Sequence, residues 1–302
     1  MNKKFIPVML TPFKANGEVD YDGLTQLTEY YLKAGAQGLF ANCLSSEMYE
    51  LTEEERLQGV KHVVKVANGL VPVVATGTFQ GSLNKQAEFI KRIYDLGTQA
   101  VIIVTGVMAT EHEDDDIFNQ RIFDLLLLTD NIPVGFYECP VPYKRVLSAE
   151  QLKVFIDTDR VTYLKDTCLD LTLIKTKVKA GSGHNFGLYD ANIINAVESL
   201  KVGAAGLSCI QGNYFPDLVV WLCENYDNNE QSNTVKKVMN FFMENIDLMH
   251  DVYPVSAKYC LQKQGLNIST TVRTRTKSFP PDVRSEIDKL FNDYLLLRKK
   301  FN

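Results

Sequence analysis

Histidine is scarce in this chain: four residues, at positions 62, 112, 184 and 250, and no two have the spacing of metal ligands. A site without metal is the expectation. Cysteine is little used as well. The six residues at 43, 139, 168, 209, 223 and 260 contain no CxxC pair, so they read as reduced side chains in the core or at strand ends. A catalytic cysteine needs a base beside it, and no histidine is placed to serve. Basic charge is short too. The balance is −5 with an isoelectric point near 5.5, which leaves no positive field to replace phosphate counterions and argues against a nucleic-acid partner. No apolar run approaches a membrane span. The opening MNKKFIPVMLTPF is too short for a signal-peptide core and is cut by Pro7 and Pro12, so it reads as a first strand. A cytoplasmic protein without membrane contact is expected.

A further absence concerns the fold. No GxGxxG turn follows the first strand, which removes the usual sign of an open dinucleotide-binding sheet. The glycine-rich GSGHNFG (181–187) precedes a strand and reads as a helix-ending turn.

What is present is a repeat of strand, loop and helix. Short apolar strands are expected at 5–10, 37–42, 71–76, 100–104, 133–137, 161–165, 184–188 and 204–208, each followed by a helical segment. Thr52 with Glu55, and Ser148 with Gln151, have capping-box spacing and mark two helix starts. Helices are expected from about Tyr21 to Ala34, Asp115 to Leu128, Leu171 to Lys179, from Asp190, and near Pro216 to Asn225. Eight such units predict an α/β fold, a closed (β/α)8 TIM barrel over 1–225, with an open doubly wound sheet as the alternative. Beyond NNEQSNT, which reads as a polar linker, helices are expected over Val235–Met249, Val255–Gln264 and Pro281–Lys300. They form a C-terminal helical region, 226–302, packed on the barrel or on a partner subunit.

In such a barrel the chemistry sits at the carboxyl ends of the strands. Those ends carry Thr11, Ser45 with Ser46 and Glu47, Thr76, Thr105, Tyr137, Lys165, Leu188 and Ser208. Exactly one is a lysine. VTYLKDT (161–167) delivers Lys165 from an apolar strand, where poor solvation disfavours the ammonium form and activates the amine toward a carbonyl. A lysine snorkelling to water is the plainer alternative. Tyr137 ends the neighbouring strand and would face the same mouth, a phenol able to move protons for Schiff-base chemistry. Consecutive N–H groups around Ser45 suit a carboxylate. Ser208 and Leu188 are further candidates for substrate contact. Thr11 and Glu47 are expected to hold the structure near the site, Glu47 by hydrogen bonds in its loop. Asp166 reads as a turn residue, Asp190 as a helix cap, and HEDDD (112–116) as a solvated loop and helix start.

With those residues in place, the chain resembles the dihydrodipicolinate synthase / N-acetylneuraminate lyase family of class I Schiff-base aldolases. The resemblance spans MLTPF (9–13), GEVDYDGL (17–24), LTEEER (51–56), YECP (137–140), YLKD (163–166), GAAGLS (203–208) and FPDL (215–218). It implies a barrel with a C-terminal helical region, assembled as a homotetramer or dimer. It implies an imine between Lys165 and pyruvate or a related 2-oxo acid, with no other cofactor. Tyr137 is then the proton shuttle, and the amides near Leu44 and Ser45 hold the carboxylate. Three positions depart from the pattern. Leu44 replaces a hydroxyl residue. TGVMA (105–109) has Val107 and Met108 where synthases use a tyrosine of the neighbouring subunit. Pro142 replaces an arginine, with Lys144 and Arg145 nearby. These departures rank aldol cleavage or condensation of a sugar acid ahead of 4-hydroxy-tetrahydrodipicolinate synthesis and of sugar-acid dehydration. A non-catalytic binder of 2-oxo or sugar acids is the rival of another class.

Overall fold

The computed structural model describes residues 2–299. Eight parallel strands form one sheet: β1 Lys4–Phe5, β2 Leu39–Phe40, β3 Val73–Thr76, β4 Ala100–Val104, β5 Val134–Tyr137, β6 Val161–Asp166, β7 Gly187–Asp190 and β8 Gly206–Leu207. They run in the order β1-β8-β7-β6-β5-β4-β3-β2. A parallel bridge between Val8 and Phe40 joins the two ends, with Phe40 N donating to Pro7 O at 3.0 Å and Met9 N to Phe40 O at 3.1 Å. The result is a closed (β/α)8 barrel.

Where sequence and structure differ, the reason is local. The first strand, expected over 5–10, is regular only over Lys4–Phe5, because Pro7 has no N–H for the ladder. Strand seven is shifted from 184–188 to Gly187–Asp190. Here Gly187 lies against Ala205 and the Tyr189 ring, where an added Cβ would sit 3.0 Å from each. The helix expected from Asp190 therefore begins later, as one turn at Ile193–Asn195 and then Ala196–Lys201. A short helix, Thr105–Met108, follows β4 and had no clear sequence signal. The capping boxes at Thr52/Glu55 and Ser148/Gln151 are both present, and Asp115–Leu128 is capped by Asp114.

The polar NNEQSNT stretch is not a linker. It folds as a turn, Asn229–Gln231, and the start of the helix Ser232–Glu244. The remaining helices are Ile246–Asp251, Val255–Lys263 and Pro281–Arg298; Lys300, expected to end the last one, lies outside the described residues. These helices share a core with the barrel's own. Phe242, Cys260, Leu261, Ile287 and Leu290 are buried in one cluster with Leu27 and Tyr31 of the helix Tyr21–Lys33 and with Leu218 and Leu222 of Pro216–Asn225. Among the described residues no helix is long and apolar enough to cross a membrane.

Candidate active site

Strand parity decides which side chains reach the barrel's interior, since alternate residues face opposite sides. On β6, Tyr163 packs with the interior cluster that also holds Phe40, Ile102 and Tyr137, while Leu164 packs with the helix-side cluster. Lys165 shares the parity of Tyr163 and points inward. In register it is paired with Tyr137 of β5, and its Nζ lies 4.2 Å from the centre of the Tyr137 ring. Lys165 is 5% exposed, and among the described residues it has no carboxylate in ion-pair contact. Burial lowers its pKa below the ordinary lysine value; nearby Cys43, Cys139, Cys209 and Asp190 oppose that shift. Burial also pushes the Tyr137 phenol well up, so it keeps its proton.

The two residues sit at the floor of a cavity of about 480 Å³. Leu44 and Ser45 line it, from a single turn, Leu44–Ser46, after β2. Thr11 and Glu47 secure that turn. Thr11 Oγ1 donates to Ser46 O at 2.7 Å. Glu47 is in the left-handed region, φ 58°. Its Oε1 accepts from Lys258 Nζ at 2.9 Å, and its Oε2 accepts from the Arg273 and Thr274 backbone N–H groups at 2.6 and 2.8 Å. Glu47 thus holds more than its own loop, since it fastens the segment around 273–274 over the barrel mouth.

Two expected contacts are not where the sequence put them. Leu188 has the outward parity of β7 and packs in the helix-side cluster; with the strand extended to Asp190, it lies two residues short of the mouth. Ser208 is fully buried beneath the cavity. Its Oγ donates to Ile6 O at 2.8 Å and accepts from the Tyr163 phenol at 3.4 Å. Asp166 and Asp190 are buried strand ends rather than a surface turn and a helix cap. Asp190 Oδ1 accepts from Asn192 N at 2.8 Å, and burial raises this carboxyl to about 6.

Sequence reading missed a buried ionic cluster behind the site. Lys177 Nζ, from the helix Leu171–Ala180, donates to Glu138 Oε1 at 2.5 Å and to Asp166 Oδ2 at 2.7 Å. All three side chains are fully buried. Glu138 also accepts from the backbone of Leu147 and Thr167, so the cluster ties together the loops that follow Tyr137 and Lys165. Desolvation, with Asp166 adding to it, raises the Glu138 carboxyl to about 7 against the opposing pull of Lys177. Two outward-facing carboxylates at adjacent strand ends were the available signal.

The far wall was missed too. Ile246, His250, Tyr253, Pro254 and Thr274 line the cavity, and all belong to the C-terminal region. Of the two basic residues near Pro142, Arg145 is turned away. It donates to Asp115 at 2.7 Å and to Tyr143 Oη at 3.0 Å. Lys144 lines the cavity, donating to Thr167 O at 2.9 Å. Gln211, 1% exposed, also lines it, and its Nε2 has no hydrogen-bond partner among the described residues. No group of three His, Cys, Asp or Glu that could hold a metal occurs among the described residues.

Residues 1–293 match the dihydrodipicolinate synthetase family. The chain belongs to that family. As a member it is an enzyme of the lyase type. The 4-hydroxy-tetrahydrodipicolinate synthase of Bacillus subtilis (strain 168) is 26% identical over 266 residues, 87% of this chain and 89% of that one. In fold, a sialic acid aldolase of Ruminococcus gnavus, solved as its catalytic lysine mutant, superposes with a TM-score of 0.87 at 19% identity, covering 100% of this chain and 98% of that one. A monomeric dihydrodipicolinate synthase variant gives 0.86 at 20% identity, covering 97% and 96%.

Proposed function

We propose that this family member is a Schiff-base lyase in which Lys165 forms an imine with pyruvate or a related 2-oxo acid, and which cleaves or makes a carbon–carbon bond in a sugar acid. The observation that carries the reading is the buried Lys165 amine, without a carboxylate partner, set over the Tyr137 ring at the floor of the cavity. A desolvated amine is the nucleophile such chemistry needs. Attack on the ketone forms a C–N bond, and Tyr137 passes a proton to the oxygen and recovers one from nitrogen. The C–O bond then breaks, its oxygen leaves as water with one further proton, and the nitrogen lone pair completes the C=N bond. The imine then takes up the electron pair released when the neighbouring carbon–carbon bond breaks, so no further cofactor is required. The amides of the Leu44–Ser46 turn would receive the carboxylate.

Beyond the lysine, the lining favours hydroxyl groups. Thr167, Asn192 and Gln211 stand there, Gln211 with an unused amide N–H, and no arginine does. Lys144 is the cation in reach of a second anionic group. The names of the curated relatives support a second reading, condensation of pyruvate with aspartate semialdehyde. Treatment with pyruvate and borohydride is expected to leave one mass adduct, on Lys165. Its absence with a panel of 2-oxo acids overturns the proposal. Cleavage of N-acetylneuraminate and 2-keto-3-deoxy sugar acids, set against the condensation assay, separates the two readings.

A further inference from the structure

Leu169 stands in a backbone conformation that a leucine adopts only at a cost. Its φ is 65°, in the left-handed region where a Cβ crowds the following carbonyl and where glycine is free of strain. The side chain does nothing to hold that turn. On one side Cys168 N donates to Asp166 Oδ1 at 2.9 Å; on the other Asp170 Oδ1 accepts from Thr172 N and Leu173 N at 2.8 and 3.1 Å. Asn195 Nδ2 donates to the Leu169 carbonyl at 3.4 Å. Nor does the side chain serve the core, since Leu169 is 60% exposed. Strain of this kind gathers at binding sites, where the strained residue has a task. Leu169 lines the cavity that holds Lys165, and so do Leu44, Ile193, Ile210 and Ile246, each from a different segment. The lining therefore offers two chemically distinct sets of groups: the polar side chains of Thr167, Asn192 and Gln211, and these five aliphatic ones.

We propose that Leu169 is a specificity-determining residue, and that the aldehyde half of the substrate is a 2-hydroxyaldehyde that ends in a short alkyl group instead of a hydroxymethyl group. The proposal rests on the Schiff-base reading above and names the second substrate of that same site. The hydroxyl beside the reacting carbon is met by the polar set. The alkyl end lies against Leu169 and the isoleucines, where a terminal hydroxyl would give up its water and meet only aliphatic carbon. The net reaction joins pyruvate, CH3–CO–COO−, and R–CHO into R–CHOH–CH2–CO–COO−. A C–H bond of the pyruvate methyl breaks, its electron pair forms the new carbon–carbon bond, and its proton ends on the new hydroxyl. Lys165 is regenerated, so the imine and its water drop out of the balance. Cleavage is the same step reversed, and the acid cleaved is then a deoxy-sugar acid.

The test is condensation of pyruvate with lactaldehyde, 2-hydroxybutanal and glyceraldehyde, which share the aldehyde and its neighbouring hydroxyl and differ at the far end. The kcat/KM for lactaldehyde is expected to exceed that for glyceraldehyde about 10- to 100-fold, the range over which an apolar pocket rejects an added hydroxyl. The extra CH2 of 2-hydroxybutanal should add about fourfold. Leu169→Asn keeps a residue that tolerates left-handed backbone and replaces the alkyl surface by an amide. It is expected to lower the lactaldehyde-to-glyceraldehyde ratio about tenfold, with a thermal midpoint no lower than the parent's. Leu169→Gly removes both the surface and the strain and should lower the ratio as well. A packing role would lower the midpoint and leave the ratio alone; a subunit contact would change the molar mass in solution and leave the ratio alone. Either result overturns the assignment of Leu169. A parent protein that gives the pyruvate–borohydride adduct on Lys165, yet shows no preference for lactaldehyde or condenses with none of the three, overturns the inference and not the Schiff-base reading. No adduct on the parent overturns both.

Discussion

The Lys165 amine sits 4.2 Å from the centre of the Tyr137 ring, and the two residues are neighbours in register on adjacent strands. Each position fixes the other. The strand pairing sets their height in the barrel, parity turns both inward, and the ring shields the amine from water.

A first prediction concerns stability and pH. Burial lowers the Lys165 pKa in the folded protein below its unfolded value of 10.5. The unfolded chain therefore binds the proton more readily, and the residue's effect on stability is least unfavourable above pH 10.5 and worsens as pH falls from there. Lys165→Met, which the proposed reaction requires to be inert as an enzyme, is expected to unfold about 2 °C or more above the parent at pH 7, since ~1 kcal/mol moves the midpoint of a 150–250-residue protein by roughly 2–4 °C. The gap should narrow as pH is raised toward 10.5. Thermal denaturation across that range checks it, and a lower midpoint for Lys165→Met at pH 7 would contradict it.

Tyr137→Phe keeps the ring over the amine and removes the proton. Turnover is expected to fall about 10²- to 10⁴-fold, the range of a lost general acid–base group, while a borohydride-reducible adduct on Lys165 still accumulates on long incubation. Steady-state kinetics beside intact-mass measurement gives the answer.

Lys177→Met leaves Glu138 and Asp166 facing each other in the interior. Removing one partner of a buried ionic group typically costs about 3–5 kcal/mol, and chemical denaturation should show a loss of that order at neutral pH. Because the folded Glu138 carboxyl is raised to about 7, its contribution to stability is full below the unfolded value of 4.5 and is lost as pH rises through 7. Glu138→Gln is expected to flatten the stability profile between those values.

Glu47→Ala removes the acceptor of Lys258, Arg273 and Thr274 together. An uncompensated Lys258 ammonium, fully buried, is expected to destabilise the protein by about 3–5 kcal/mol. Limited proteolysis near 271–275 should accelerate, and KM should rise more than kcat falls. Equal protease resistance in parent and variant would show that the clasp does not hold that segment.

Much of this was legible in the chain. Eight apolar segments spaced by amphipathic ones gave the barrel, and a lysine and a tyrosine at adjacent strand ends gave the centre of the site, because both depend on periodicity and adjacency alone. Leu188 was misplaced because a glycine-rich turn left the start of β7 open by three residues, and the outcome was decided by how closely Gly187 packs on Ala205. Lys177 looked like one more surface lysine on an amphipathic helix; only the outward carboxylates of two strands make it an interior residue. Tyr253 was out of reach for another reason. It lies 88 positions beyond Lys165 in the chain, and no local pattern reports a contact formed by folding a helical region back across a barrel mouth.

That return has an outcome for how such a protein changes its diet. The floor, where the proposed bond chemistry would occur, is made of strand ends whose register is shared by neighbours on both sides and tolerates little alteration. The opposite wall is made of residues 246–254 and 274, which contribute to no strand and take part in no ladder. Sequence drift or engineering in that span can therefore reshape which molecules are admitted while the Lys165 nitrogen stays where it is.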